Sequence, residues 1–110
     1  MNDPKVSFTG KVITDIEHGT LANGSLYANF RVAVATYQLN EHGERERAET
    51  VFFRVSTYNE TAKEAVGLLN GDIIHVTGYI KNKPYDDVKY NIIVVATRIY
   101  IPVGMTSANG

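Results

Sequence analysis

Aromatic rings and a cation occur at even spacing in one segment of this 110-residue chain. Phe52, Arg54 and Tyr58 are separated by even numbers of residues, and on a β-strand even spacing places side chains on one face. If that face meets solvent, its rings can stack on nucleobases while the guanidinium group binds phosphate. Packing of Phe52 and Tyr58 in a core or a subunit interface is an equally good interpretation of the spacing.

Charge is distributed unevenly along the chain. The formal net charge of -1 argues weakly against bulk attraction to nucleic acid, because that affinity comes from neutralised phosphates. Basic residues on strand-like segments are Arg31, Arg54, Lys81 and Lys83, whereas many acidic residues gather between 41 and 49. The sequence therefore allows a local basic stripe on a nearly neutral protein.

Composition argues against several function classes. The chain has no Cys, and its three histidines lack the spacing of metal ligands. No catalytic triad or phosphate-cradling glycine loop is visible, so we expect no enzymatic activity, no metal and no cofactor. The polar start and the lack of a long apolar run predict a cytoplasmic protein that does not bind membranes.

The alternation of apolar and polar residues predicts five strands, over 5–16, 27–37, 49–58, 72–83 and 88–101. The connecting segments 17–20 and 38–48 are predicted to be loops, the second a long hairpin loop. An apolar stripe predicts a helix over 59–69, with Thr61 and Glu64 as a capping box and Asn70-Gly71 at its end.

This order of elements predicts an all-β, five-stranded OB-fold barrel with one helix between strands 3 and 4. Ferredoxin-like and SH3-like arrangements fit less well, since neither places a lone helix there. Gly10 and Gly78 suit the sharp bends of such a barrel. We expect residues 1–101 to form this single domain and residues 102–110 to form a disordered tail.

Several stretches in one order carry a family resemblance. They are 5–12 (KVSFTGKV), 23–24 (NG), 28–34 (ANFRVAV), 49–55 (ETVFFRV), 62–65 (AKEA), 68–72 (LLNGD) and 76–81 (VTGYIK). In this order and spacing, over residues 5–101, the chain resembles the bacterial-type single-stranded DNA-binding proteins. The ordered set is quite specific, although no single stretch is decisive.

The resemblance implies a function. Members of that family wrap single-stranded DNA over an OB-fold tetramer without sequence preference, in replication, recombination or repair, and some are associated with phages, plasmids or competence systems. A homotetramer built from dimers is therefore expected, with a dimer as the second possibility.

The resemblance also implies DNA-binding positions. Phe52 stands where the family often has Trp, Arg54 at its DNA-contacting Arg, and Tyr58 at the aromatic position before the helix. Further implied positions are Tyr85, Lys81 and Lys83 in the hairpin between the last two strands, with Tyr37 near the end of strand 2. Arg31 adds a phosphate contact in the physical interpretation of the same surface.

The chain departs from the family in three places. It has no Trp, and Asp86 and Asp87 lie at the predicted tip of the last hairpin. Residues 106–110 lack the acidic tip with a Pro-Phe pair through which cellular members recruit replication and repair enzymes. We therefore expect a tail-less or truncated member without that recruitment. The alternative is a protein-interaction module of a primosome-like complex that binds DNA weakly.

Overall fold

The computed structural model describes residues 4–81 and 92–102, most of which lie in strands. In chain order the elements are β1 (Lys5–Val12), β2 (Glu17–Thr20), β3 (Leu26–Leu39), β4 (Arg45–Tyr58), α1 (Asn59–Val66), β5 (Ile73–Lys81) and β6 (Ile92–Tyr100). The predicted tail beyond Pro102, with most of the predicted last hairpin, lies outside the described residues.

A barrel is formed by five of these strands. The hydrogen-bonded order is β1-β5-β6-β4-β3-β2, and β1 also pairs with β3, which closes the barrel. The β4–β6 pair is parallel and the other described pairs are antiparallel. The architecture is all-β with one helix in the described part of the chain, and it is consistent with the predicted OB-fold.

The predicted position of the helix was wrong by one strand. Residues 17–20, predicted to be a loop, form β2, so that the helix lies between the fourth and fifth strands. Glu17 pairs with Asn29 and Thr20 with Leu26, around the turn predicted at Asn23-Gly24. β2 is short and polar and lies at the edge of the sheet. It is recognised as a strand by its pairing with β3, because its sequence has no apolar alternation.

The hairpin between β3 and β4 is more regular than predicted. Pairing extends to Leu39 and Arg45, so the predicted loop over 38–48 shrinks to a tight turn. In that turn the Asn40 side-chain oxygen accepts the backbone N–H groups of His42 and Glu44, both at 2.9 Å. This part of the hairpin is largely exposed and therefore needs no apolar alternation.

The helix also differs from its prediction at both ends. It begins directly after Tyr58 without a side-chain cap, and it ends at Val66 with Gly67 as C-cap. Thr61 Oγ1 is 3.4 Å from the Thr97 carbonyl oxygen, to which it donates, so the predicted capping box does not form. Since the strand runs straight into the helix, Thr61 already lies inside the first turn.

The core lies between the helix and the inner faces of the strands. Its fully buried side chains include Val12, Val32, Val55, Ile74, Val76 and Val94. At its margin, Phe8 and Phe53 stack with ring centroids 4.3 Å apart and an interplanar angle of 12°. Adjacent residues of β4 therefore have opposite environments, with Phe53 packed against the core and Phe52 half exposed.

Candidate nucleic-acid interface

The register between β3 and β4 gathers several predicted site residues on one outward face. The outward pairs are Tyr27–Tyr58, Asn29–Ser56, Arg31–Arg54 and Ala33–Phe52. The alternate pairs, such as Phe30–Val55 and Val32–Phe53, point towards the core. We call the outward set the β3–β4 face.

Of the three rings on the β3–β4 face, Tyr27 is half-buried and the other two are exposed. Phe52 is 50% exposed and Tyr58 44% exposed, so neither is a core residue of this chain. They lie about 20 Å apart along β4 at the usual rise per strand residue. This span is long enough for the two rings to contact different nucleotides of one extended nucleic-acid strand.

Two arginines lie between these rings. Arg31 is exposed and Arg54 is partly buried, and their backbones are directly opposite each other in the ladder. Like charges at such positions destabilise a sheet. The ion pairs within residues 4–81 and 92–102 are Glu41–His42 and Glu60–Lys63, so neither arginine is neutralised by one of these contacts. A bound anion between Arg31 and Arg54 would relieve their repulsion.

Lys81 extends this basic region across the sheet. Ile93 of β6 pairs with Arg54 on one side and with Lys81 on the other. The backbones of Arg31, Arg54, Ile93 and Lys81 thus form one row over four neighbouring strands, about 14 Å wide at the usual strand spacing. The predicted site residues Lys83 and Tyr85 lie outside the described residues.

Tyr37 lies further along the hairpin formed by β3 and β4. Its ring is 51% exposed, and the guanidinium carbon of Arg45 lies 4.1 Å from the ring centroid. Arg47 is directly opposite Tyr37 in the ladder. Arg45 and Arg47 therefore lie next to the predicted site residue Tyr37. Neither arginine was predicted as a site residue, because residues 38–48 were expected to form a loop.

A groove of about 300 Å³ opens beside the arginine pair. It is lined by Thr14, Asp15, Glu17, Asn29, Phe30, Arg31 and Arg54. Two hydrogen bonds hold the connection between β1 and β2 against β3: Ile13 N–H donates to the Arg31 carbonyl, and Arg31 N–H donates to Thr14 Oγ1, both at 3.0 Å. The sequence prediction missed this groove, since closure of β1 onto β3 creates it.

Two further properties of the described residues bear on function. No group of three or more His, Asp or Glu side chains in this part of the chain could hold a metal ion. The described helix is too short and too polar to cross a bilayer.

Comparison with known proteins identifies the family to which this chain belongs. The model of the single-strand binding protein family matches residues 3–102. The chain belongs to this family, which confirms the resemblance found in the sequence. A comparison with curated proteins gave no match.

Solved structures show the same fold. A small single-stranded DNA-binding protein from Streptomyces coelicolor is 25% identical, with a TM-score of 0.76 over 94% of this chain and 96% of that chain. The second single-stranded DNA-binding protein of Mycobacterium smegmatis is 19% identical, with a TM-score of 0.69 over 91% and 89%. Protein PriB from Ralstonia solanacearum, at 8% identity, has a TM-score of 0.69 over 90% and 98%. The last two show likeness of fold alone.

Proposed function

We propose that the protein binds single-stranded DNA with little sequence preference, on the β3–β4 face. The observation that carries this proposal is the arrangement of two half-exposed rings, Phe52 and Tyr58, on either side of the opposed Arg31–Arg54 pair. Membership of the single-strand binding protein family supports it, as does likeness to a single-stranded DNA-binding protein at 25% identity.

The proposed mechanism combines stacking with phosphate binding. Each base stacked on Phe52 or Tyr58 contributes about 1–3 kcal/mol, and any base can stack because every base has a π-face. Arg31, Arg54 and Lys81 bind phosphates, which makes part of the affinity depend on salt. Tyr37 with Arg45 would continue the path of the strand along the hairpin, and Lys83 and Tyr85 would add to it from the β5–β6 connection.

The proposal extends to assembly and context. We infer a cytoplasmic homotetramer, a dimer of dimers, that coats DNA during replication, recombination or repair and does so without enzymatic activity or a cofactor. The folded unit would be residues 1–101, with 102–110 as a tail. Light scattering coupled to size exclusion tests the tetramer, and deletion of residues 102–110 tests whether the tail contributes to DNA affinity.

The interaction-module alternative has less support. The likeness to PriB concerns the fold alone at 8% identity, and the net charge of -1 and the absence of Trp are its other motivations. Weak binding, with a dissociation constant near or above about 10⁻⁴ M at physiological salt, would favour this alternative.

The test is fluorescence anisotropy of labelled dT oligonucleotides of increasing length, over a salt series, with duplex of the same length as the comparison. We expect affinity for dT to rise with length and to exceed affinity for duplex. The double substitution Phe52→Ala with Tyr58→Ala should weaken binding at every length. Tyr100→Ala removes a ring of similar exposure from β6 and is the matched control. Equal affinity of the double variant and the parent would refute the proposed surface.

A further inference from the structure

Two carboxylates line the groove beside the proposed phosphate-binding arginines. Asp15 and Glu17 come from the connection between β1 and the start of β2, and they share the groove with Asn29, Arg31 and Arg54. Asp15 and Glu17 are exposed, and neither forms an ion pair with an arginine within the described ranges 4–81 and 92–102. The groove therefore presents acceptors and donors side by side.

These carboxylates are unfavourable for a groove that holds only phosphate. A phosphate inside it would approach Arg31 and Arg54 but would be repelled by both acidic side chains. A base edge has no such conflict, because exocyclic amino groups donate hydrogen bonds and carboxylates accept them, as in the pairing of Asp or Glu with cytosine N4. The arginines can meanwhile bind the flanking phosphates outside the groove.

Hydrogen bonds to β3 fix the backbone that carries the two carboxylates. The hydrogen bonds Ile13 N–H to the Arg31 carbonyl and Arg31 N–H to Thr14 Oγ1 fix the chain immediately before Asp15. Glu17 is fixed by its ladder pairing with Asn29. Both acidic residues thus enter the groove from backbone that is anchored to β3.

We propose that this groove holds the edge of a nucleobase that carries an exocyclic amino group, with Asp15 and Glu17 as the acceptors. The inference rests on the proposed function and adds a base preference at one position of an otherwise tolerant surface. A strand with cytosine in the groove is held more tightly than one with uracil, which presents a carbonyl oxygen where cytosine presents its amino group.

The experiment compares dC and dU oligodeoxynucleotides of equal length, at mildly alkaline pH where cytosine stays unprotonated. The two bases are close in shape and both lack the thymine methyl group, and all-DNA probes exclude any contribution from a ribose hydroxyl. Binding of each is measured for the parent, for Asp15→Ala with Glu17→Ala, and for Glu60→Ala with Glu64→Ala. The last variant removes two exposed carboxylates from the helix and is the matched control for charge.

We expect the parent's preference for dC over dU to fall about fivefold in the Asp15/Glu17 variant and to stay unchanged in the helix variant, a size at the lower end for one hydrogen-bonded base edge. Equal tightening of both oligonucleotides in the Asp15/Glu17 variant would overturn the inference, since the carboxylates would then act only by repelling phosphate. An unchanged preference would overturn it as well.

The proposed function and the groove assignment fail in different ways. If the parent binds neither oligonucleotide, the proposed function is refuted and the groove assignment with it. The groove assignment alone is refuted if the parent binds both oligonucleotides and loses affinity through Phe52→Ala with Tyr58→Ala, but the preference for dC over dU is the same with and without Asp15 and Glu17.

Discussion

Arg31 and Arg54 are directly opposite each other in the antiparallel ladder between β3 and β4. Cross-strand neighbours at such positions have Cβ atoms about 5 Å apart, and two like charges there cost free energy of folding. The described chain offers no ion pair that would offset this cost at either residue. In the proposed function a bound polyanion relieves this repulsion, so we expect the pair that weakens the free protein to strengthen its complex with DNA.

The first prediction concerns this trade-off at Arg31. Arg31→Gln should raise the free energy of unfolding by about 0.5 kcal/mol, because it removes one of two opposed charges. The same change should weaken binding to single-stranded DNA and make the slope of log affinity against log salt shallower by about 0.7, the value for one lost phosphate contact. Urea unfolding and a salt series of anisotropy titrations measure the two effects.

Lys5→Gln provides the control for Arg31→Gln. It removes one positive charge from an exposed strand position whose ladder partner is Tyr79, not a cation. It should leave stability nearly unchanged. Destabilisation by Arg31→Gln would refute the repulsion between the two arginines. Weaker DNA binding without a change in the salt slope would show that the pair is not a phosphate site.

A second prediction contrasts two adjacent phenylalanines. Phe53→Ala should lower the free energy of unfolding by about 3 kcal/mol, since its ring stacks on Phe8 at the margin of the core. Phe52→Ala should change it by about 0.5 kcal/mol or less, because that ring is half exposed. Denaturant unfolding measures both changes.

The two substitutions should affect DNA affinity in the opposite order, with the larger loss at Phe52. Folded Phe53→Ala protein should retain the parent's affinity, whereas Phe52→Ala should lose affinity by about 1 kcal/mol or more. A large loss of stability in Phe52→Ala would mean that this ring is buried in an assembly, which was the competing interpretation of its spacing.

A third prediction tests the close approach of β5 and β6 at Gly78. A Cβ atom there would collide with the Val95 carbonyl oxygen and would lie 2.9 Å from Ala96 Cα, next to the register shift between β5 and β6. Because both contacts are with backbone, Gly78→Ala should destabilise the protein by about 3 kcal/mol. Thermal or urea unfolding gives the change.

Gly67→Ala is the matched control for Gly78→Ala. Gly67 has a right-handed helical conformation, and an added Cβ would meet only the Glu64 carbonyl oxygen at 3.7 Å. This substitution should be neutral or stabilise by up to about 1 kcal/mol. Similar losses at both positions would show that close strand approach does not explain the need for Gly78.

The main features of the fold could be predicted from the sequence because burial determines them. Alternation in 27–37 and 49–58 predicted strands there, and β3 and β4 cover both segments. The spacing of Phe52 left a core position and an exposed position equally open, and only the structure shows that this ring is half exposed. Gly78 was expected at a bend and lies beside a register shift. Family membership was also predicted, from an ordered set of short stretches, and is confirmed.

The errors occurred where burial gives no signal. β2 and the outer part of the β3–β4 hairpin are polar and exposed, so only cross-strand hydrogen bonds reveal them as strands. The groove at Asp15 and Glu17 is lined by residues from three strands and one connection. A local sequence pattern cannot predict that residues so far apart in the chain lie side by side. The predicted capping box failed because the strand continues directly into the helix, so Thr61 is not at the cap.

The last prediction uses the absence of Trp from the whole sequence. Phe52→Trp places a single indole on the β3–β4 face, and its larger ring should tighten binding of dT oligonucleotides about threefold through stronger stacking. Because this indole is the only one in the chain, its fluorescence should be quenched as a base stacks on it. Titration of the variant with dT, followed at the Trp emission, measures both the affinity and the contact.

Tyr100→Trp supplies the comparison, since Tyr100 is 45% exposed but lies on β6, where its ring neighbours His75 at a centroid distance of 5.0 Å. Its emission should respond less to dT than that of Phe52→Trp, and its affinity should equal that of the parent. Equal quenching at both positions would show that DNA does not select the β3–β4 face. Quenching confined to Phe52→Trp, with salt dependence equal to the parent's, would place a base on that ring, because the substitution changes no charge.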